Sequence, residues 1–238
     1  HQRDVHDDLI TRGLRLISDS YLDGVEVLAA PQGVPVERRN IEGRNWRVLL
    51  DDVVELQPDL VLIGALGLGA TEQSSLGSVC SRLVRRLSLC DALVVRRLVG
   101  APWDHMLVAI DGSEESFGAL DTAVALAAAT GGRVDLVSSF DPQFHQVAFG
   151  AIAGVLSAEA AEVFRFEQQQ QLHGEIIDDG LARIYQGHLD DAVRFAAQRG
   201  VQVGDAALLP GKAPDCLERH VRELRPSLVL LGRTGVHS

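Results

Sequence analysis

The stretch ELQPDLVLIGALG (55–67) returns as ELRPSLVLLGRTG (223–235), at an offset of 168. In both, a polar helix-like end and a proline precede a short apolar run, LVLIG or LVLLG, which reads as a buried strand closed by a Gly-x-x-Gly turn. Upstream, HDDLITRGLRLISDSYLD (6–23) returns as HGEIIDDGLARIYQGHLD (173–190), at an offset of 167. The pairs His6/His173, Gly13/Gly180, Gly33/Gly200, Gly43/Gly211, Glu55/Glu223, Pro58/Pro226, Gly64/Gly232 and Gly67/Gly235 are identical. The chain is therefore a tandem duplication, and residues 6–64 should carry the same order of strands and helices as 173–232.

Working outward, the second copy opens with HMLVAI (105–110), a strand, followed by DGSEES, a turn and helix start. Phe117, Leu120, Val124 and Ala128 recur at helical spacing, Gly131-Gly132 stops that helix, and RVDLVSSF (133–140) reads as the next strand. A helix from about Leu172 to Gln198, a strand in VQVGDAALL, a helix in CLERHVREL and the buried strand LVLLG complete the copy. The first copy repeats that order and continues with a helix, LGSVCSRLVRRL (76–87), and a last strand, ALVVRR (92–97). Strands alternating with helices predict an α/β fold with a doubly wound parallel sheet in each copy. VGAPWD (99–104) is the natural linker, giving domains at 1–98 and 104–238.

The copies are cut at different places. Asp104 to Leu172 has no partner before His6, and the residues after Gly67 have none after Gly235. The first copy is expected to lack its opening strand, helix and second strand, and the second its last helix and strand. One offset places the missing parts roughly 60 residues before His1 and roughly 27 after Ser238, in a parent of roughly 330 residues. The opening HQRDVHDD, with no Met and no apolar leader, fits an internal start.

Composition narrows the function. The 238 residues are 46% hydrophobic and 23% charged, as in a globular protein, and the net charge of −11 argues against nucleic acid or an anionic membrane as partner. No apolar run is long enough to span a bilayer. Cys80, Cys90 and Cys216 make neither a disulfide framework nor a zinc spacing, which fits a reducing cytoplasm. Lys212, the single lysine, lies in PGKAP, which lacks the Walker pattern and reads as a turn.

The chemistry sits where Gly64-Ala65-Leu66-Gly67, nine further residues, then Gly77-Ser78 follow a strand and open a helix. Ligands of open parallel sheets bind beyond the carboxyl ends of the strands. Glycines there admit a ligand close to the main chain, and free N–H groups at a helix start suit phosphate oxygens. Ser78-Val79-Cys80-Ser81 carries no acid, and Arg82, Arg85 and Arg86 follow; the helix after Asp111 instead begins with Glu114 and Glu115. That contrast assigns an anion to Ser78 and leaves Asp111 for an uncharged donor such as an adenine amine.

LVAIDGSEES and the G-x2-G-x9-G-S spacing together resemble the two signatures of the universal stress protein family, and the repeat extends the resemblance over most of the chain. The resemblance implies an α/β sandwich with a five-stranded parallel sheet. It implies ATP or another adenine nucleotide as ligand, with Mg as the accompanying ion, and a regulatory or sensing role in stress response. Carried over, Gly64, Gly67, Gly77, Ser78 and Val79 hold the sugar-phosphate. Asp111 and Ser113 lie on the adenine side of the other copy, whose glycine motif begins with Gly232 and Gly235. The family builds its site within one domain, and neither copy here shows the whole motif. No general base stands near the expected γ-phosphate, so the chemistry is at most slow ATP hydrolysis or self-phosphorylation, with no catalytic residue assigned. The reading from another class is a module that binds no nucleotide and uses the fold for dimerisation.

The remaining features read blandly. His145, His173 and His188 lack metal-ligand spacing and are expected in solvated-surface or helix-face roles; Asp51-Asp52 is surface charge; Cys80, though at a helix start that can lower a thiol pKa, is a small packing residue. The segment 141–171, with Phe144, Phe149, Phe164 and Phe166, is expected either to cover its own core or to form the surface of a homodimer or of an intrachain domain pair.

Overall fold

A computed structural model describes residues 2–67, 76–96, 103–141 and 166–235, with side chains described at 9–67, 76–96, 103–141 and 179–235. The chain divides into two units, His1–Leu98 and Val99–Ser238. Residues 142–165 of the Phe-rich segment, and the side chains of 166–178 with His173 among them, fall outside the described residues.

The second unit holds four of the strands. β3 (His105–Ala109), β4 (Arg133–Phe140), β5 (Val203–Pro210) and β6 (Leu228–Leu230) form a parallel sheet in the order β5-β4-β3-β6. Met106, Leu107 and Val108 are fully buried in succession, the mark of a parallel strand covered on both faces. Two helices pack on one face: α4 (Glu114–Thr130) brings Leu120, Ala123, Val124 and Ala127, and α5 (Phe166–Gln198) brings Leu189, Ala192 and Ala196. They close over Met106, Val108, Ile110, Val134 and Leu136. The helix α6 (Ala213–Leu224) lies against β4. The apolar face of α4 runs through Ala127, and Ala128, assigned to it by spacing, is exposed.

At the starting edge of this sheet Asp135 is fully buried yet satisfied. It accepts from Arg133 Nε at 2.7 Å, pairs with His105 Nε2 at 2.8 Å and accepts from the Asp205 N–H at 2.9 Å. Burial pushes its carboxyl up, but these three donors outweigh it and hold the pKa below the ordinary value. One side chain thus ties β3, β4 and β5 together, at the end opposite to that where ligands of such sheets bind.

The first unit has α1 (Gln2–Ala29), a short 3-10 turn (Ala30–Gln32), α2 (Asn45–Leu56), β1 (Leu60–Gly64), α3 (Ser78–Arg86) and β2 (Asp91–Val95). β1 and β2 pair in parallel from Leu60↔Asp91 to Gly64↔Val95. Backbone angles repeat along with the sequence. Gly33 and Gly200 have φ of 65° and 79°, Gly43 and Gly211 of 151° and 131°, and the non-glycine helix ends Gln57 and Arg225 of 46° and 49°. Positive φ at a non-glycine residue is uncommon, so its recurrence at equivalent helix ends, each just before a proline, carries the duplication down to backbone detail.

Two expectations are corrected. Residues 34–42, the counterpart of β5, form no strand. A parallel strand needs a neighbour for its main-chain bonds; β5 has β4, whereas among the described residues of the first unit β1 and β2 pair only with each other. The runs LVLIG and LVLLG are strands but not buried ones: Leu60 and Leu62 are 44% and 65% exposed, and β6 is half-buried at the sheet's edge. In the second unit β6 lies beside β3 and against α4; in the first, Val25 is 51% exposed where Ala192 of the second is fully buried. Among the described residues neither unit shows five strands. The fold is α/β with parallel sheets.

Candidate functional site

In the first unit β1 delivers Gly64 to its carboxyl end, and the chain turns immediately. The Ala65 N–H donates to the Val95 carbonyl at 2.8 Å and the Gly77 N–H donates to the Ala65 carbonyl at 2.7 Å, so the start of α3 is docked on the turn. Space at Gly77 is tight. A Cβ there would lie 3.3 Å from the Ala65 oxygen and 3.4 Å from the Gly67 nitrogen. The structure thus brings Gly64, Gly67, Gly77, Ser78 and Val79 to one place, with Ser78 exposed and Val79 half-buried.

No side chain caps α3, whose N-cap is Gly77, and no acid stands in its first turn. A helix start in that state presents N–H donors and the positive end of the dipole outward. The arginines act elsewhere: Arg85 and Arg86 lie in the last turn, with Arg86 over the Trp46 ring at 4.9 Å. Cys80 is buried, and burial pushes its thiol up, away from nucleophilic character.

In the second unit β3 leads to Asp111. Its Oδ1 accepts from the Ser113 N–H at 3.0 Å and from Ser113 Oγ at 2.5 Å. Ser113 in turn caps α4, its Oγ accepting from the Ser116 N–H at 3.1 Å, while Glu114 and Glu115 complement the dipole in the first turn. The positive end of α4 is therefore already satisfied by the protein, unlike that of α3.

The loop after β6 lies directly on this turn. A Cβ on Gly232 would come 2.9 Å from the Ser116 nitrogen, and one on Gly235 would come 2.6 Å from Asp111 Oδ2. Asp111, Ser113, Gly232 and Gly235, up to 124 positions apart in sequence, are thus gathered at the carboxyl edge of one sheet. The two groups of residues belong to different units.

Sequence reasoning missed His188. It is not on a solvated face. Gly112 has φ +88°, and a Cβ there would lie 2.5 to 2.7 Å from three atoms of the His188 ring. Tyr185, one turn back on α5, meets that ring edge-on at 5.6 Å, and burial, with the nearby Asp111 charge, raises its phenol pKa. The available signal was Gly112 in a sharp turn, but spacing could not name its neighbour. Asp52 also differs from expectation, since it pairs with Arg39 at 3.3 Å. Among the described residues no three of His, Cys, Asp and Glu gather in a way that could hold a metal ion, and no helix is long and apolar enough to cross a membrane.

Comparison with known proteins matches the model of the universal stress protein family to residues 6–96 and 102–238. A Staphylococcus haemolyticus protein named as a universal stress protein is 33% identical over 95 residues, 39% of this chain and 57% of the relative. One from Staphylococcus saprophyticus is 32% identical over 95 residues, 39% of this chain and 56% of its own length. The chain therefore spans little more than half the length of these curated relatives. The crystal structure of a universal stress protein from Archaeoglobus fulgidus superposes with a TM-score of 0.59 at 13% identity, covering 90% of this chain and 66% of that one. One from Pseudomonas aeruginosa gives 0.54 at 14%, covering 92% and 69%. At such identities these two speak for the fold.

Proposed function

Because the chain belongs to the universal stress protein family, with two of its domains in tandem, we propose that it binds an adenine nucleotide, ATP with Mg in the first instance, and serves a regulatory or sensing role in stress response. Gly64, Gly67, Gly77, Ser78 and Val79 hold sugar and phosphate in the first unit. Asp111, Ser113, Gly232 and Gly235 form the adenine side of the second unit's own site. Domains at 1–98 and 104–238, the cytoplasm as compartment and a homodimer or paired domains as assembly belong to the same reading.

The observation that carries it is the start of α3. Its uncapped, acid-free N-terminus sits on the Gly64–Gly67 turn, so close that a side chain at 77 would press on the Ala65 oxygen and the Gly67 nitrogen. Such a helix start favours phosphate over a neutral ligand. The satisfied start of α4 favours the opposite, an uncharged donor at Asp111. No residue is assigned to chemistry, and turnover is slow or nil.

The test is calorimetry of the full chain with ATP and Mg. Micromolar or tighter binding that Gly77→Glu weakens at least tenfold supports the reading. Absence of heat, or an unchanged affinity in the variant, removes phosphate from the start of α3.

A further inference from the structure

We propose that the outer face of α2 and α3 in the first unit is a docking surface for a short acidic segment of a partner protein, held by arginine. The chain as a whole carries a net charge of −11, yet LGSVCSRLVRR (76–86) has three arginines and no acid. Arg82, Arg85 and Arg86 stand at i, i+3 and i+4 on α3 and are exposed, while Cys80 and Leu83 of the same helix turn inward and are buried. The start of α2 borders them. Arg86 lies over the Trp46 ring at 4.9 Å, and Trp46 stands in RNWR (44–47), whose Arg44 and Arg47 are exposed too.

The fold itself does not use these charges. Arg15, Arg38 and Arg39 of the same unit each meet a carboxylate, whereas among the described residues Arg44, Arg47, Arg82 and Arg85 make no ion pair, not even Arg47 with Asp51 one turn along α2. The helix dipole accounts for Arg85 and Arg86, which lie in the last turn of α3. It opposes the other pair. Arg44 is the N-cap of α2 and Arg47 stands in its first turn, where there is no acid, so two cations face the positive end of a helix. Charges set against the stability of their own helix point to a task outside the fold.

Size and field select the occupant. α3 has nine residues, a length of about 13 Å, which about four residues of extended peptide span. Charges are screened beyond about 8 Å at physiological salt, so each part of a ligand feels the surface beneath it. A polyanion longer than the patch, such as nucleic acid or an anionic membrane, meets an acidic protein along the rest of its length and is repelled. A short run of carboxylates meets only arginine. The planar guanidinium takes a carboxylate through two parallel N–H bonds, and half-buried Trp46 adds an apolar anchor of the kind that accompanies arginine in binding hot spots.

The experiment titrates a fluorescein-labelled peptide of eight glutamates with the full chain and reads anisotropy at low and at physiological salt. Binding should weaken as salt rises. Arg82→Gln with Arg85→Gln should weaken it at least fivefold, and Arg82→Lys with Arg85→Lys, which keeps the charge and loses the fork, about twofold. Arg44→Gln with Arg47→Gln should weaken it as well while the melting temperature holds or rises, because cations leave the positive end of α2. Arg15→Gln, outside the patch, should bind as the original. No binding of the peptide at millimolar protein, equal affinity in the two glutamine double variants, or a lower melting temperature in Arg44→Gln with Arg47→Gln overturns the proposal. Tighter binding of a short DNA duplex or of phosphatidylserine vesicles than of the peptide, at the same salt, also overturns it and gives the face to nucleic acid or membrane.

Discussion

Replacing Gly112 by alanine tests the geometry on which the adenine-side turn depends. Two costs are expected. A left-handed backbone, φ +88°, costs an L-residue about 1–2 kcal/mol. The new Cβ would also sit 2.5, 2.6 and 2.7 Å from His188 ring atoms, where carbon contacts settle near 3.5–4.0 Å, so the ring must shift by about 1 Å. Tyr185 stands against that ring edge-on at 5.6 Å, so the shift is resisted, and overpacking of this kind costs about 1–3 kcal/mol. The sum, about 2–5 kcal/mol, is a large part of a domain's stability. Hydrogen exchange of the β3 and β4 amides in the full chain reads this unit by itself, and the loss corresponds to roughly 30- to 4000-fold faster exchange. The decisive comparison is the same change in His188→Ala. Without the ring only the backbone cost of about 1–2 kcal/mol should persist, giving a coupling of about 1–3 kcal/mol. If Gly112→Ala costs the same in both backgrounds, His188 does not pack under the turn and the description of this site is wrong.

Other consequences are simpler to measure. Gly77→Glu should leave the circular dichroism of the chain folded while weakening ATP at least tenfold by calorimetry, since it adds bulk and negative charge against the Gly67 nitrogen. Asp135→Asn should cost about 2 kcal/mol at neutral pH, read by exchange of the same β3 and β4 amides, because the three donors lose a charged acceptor. Asp135's folded pKa is lowered, so the stability it contributes is complete above its unfolded value, near 4, and is lost as pH falls through the folded one. The original protein should therefore lose stability below about pH 4 more steeply than Asp135→Asn; parallel acid profiles would contradict the buried network. Leu120→Ala, at a fully buried α4 position, should cost about 2–5 kcal/mol by urea unfolding, whereas Ala128→Ser on the exposed side should be near neutral.

Much of the fold was legible because its signals are local. RVDLVSSF became β4 over the same residues, 133–140, since its apolar, β-branched composition and the double glycine before it need no distant partner to be read. DGSEES specified a capped helix start, as Ser113 and its acids act within one turn. The pairing of ELQPDLVLIGALG with ELRPSLVLLGRTG likewise foretold equivalent backbone turns, down to the positive φ of Gln57 and Arg225. Tertiary structure decided what depends on a neighbour. Residues 34–42 are strand-like in pattern yet form no strand, because ladder hydrogen bonds come from another strand and none of the described strands lies beside them. Leu60 and Leu62 are apolar but bare, because burial is conferred by the elements that pack above, not by the side chain's own character. Asp135 is tolerated inside an apolar run because Arg133, His105 and the Asp205 N–H converge on it. His188 and Gly235 are 76 and 124 positions from Gly112 and Asp111, and only the folding of α5 and β6 onto β3 brings them within contact, because proximity across a sheet is set by strand order and crossover length, which leave no periodic trace in the chain.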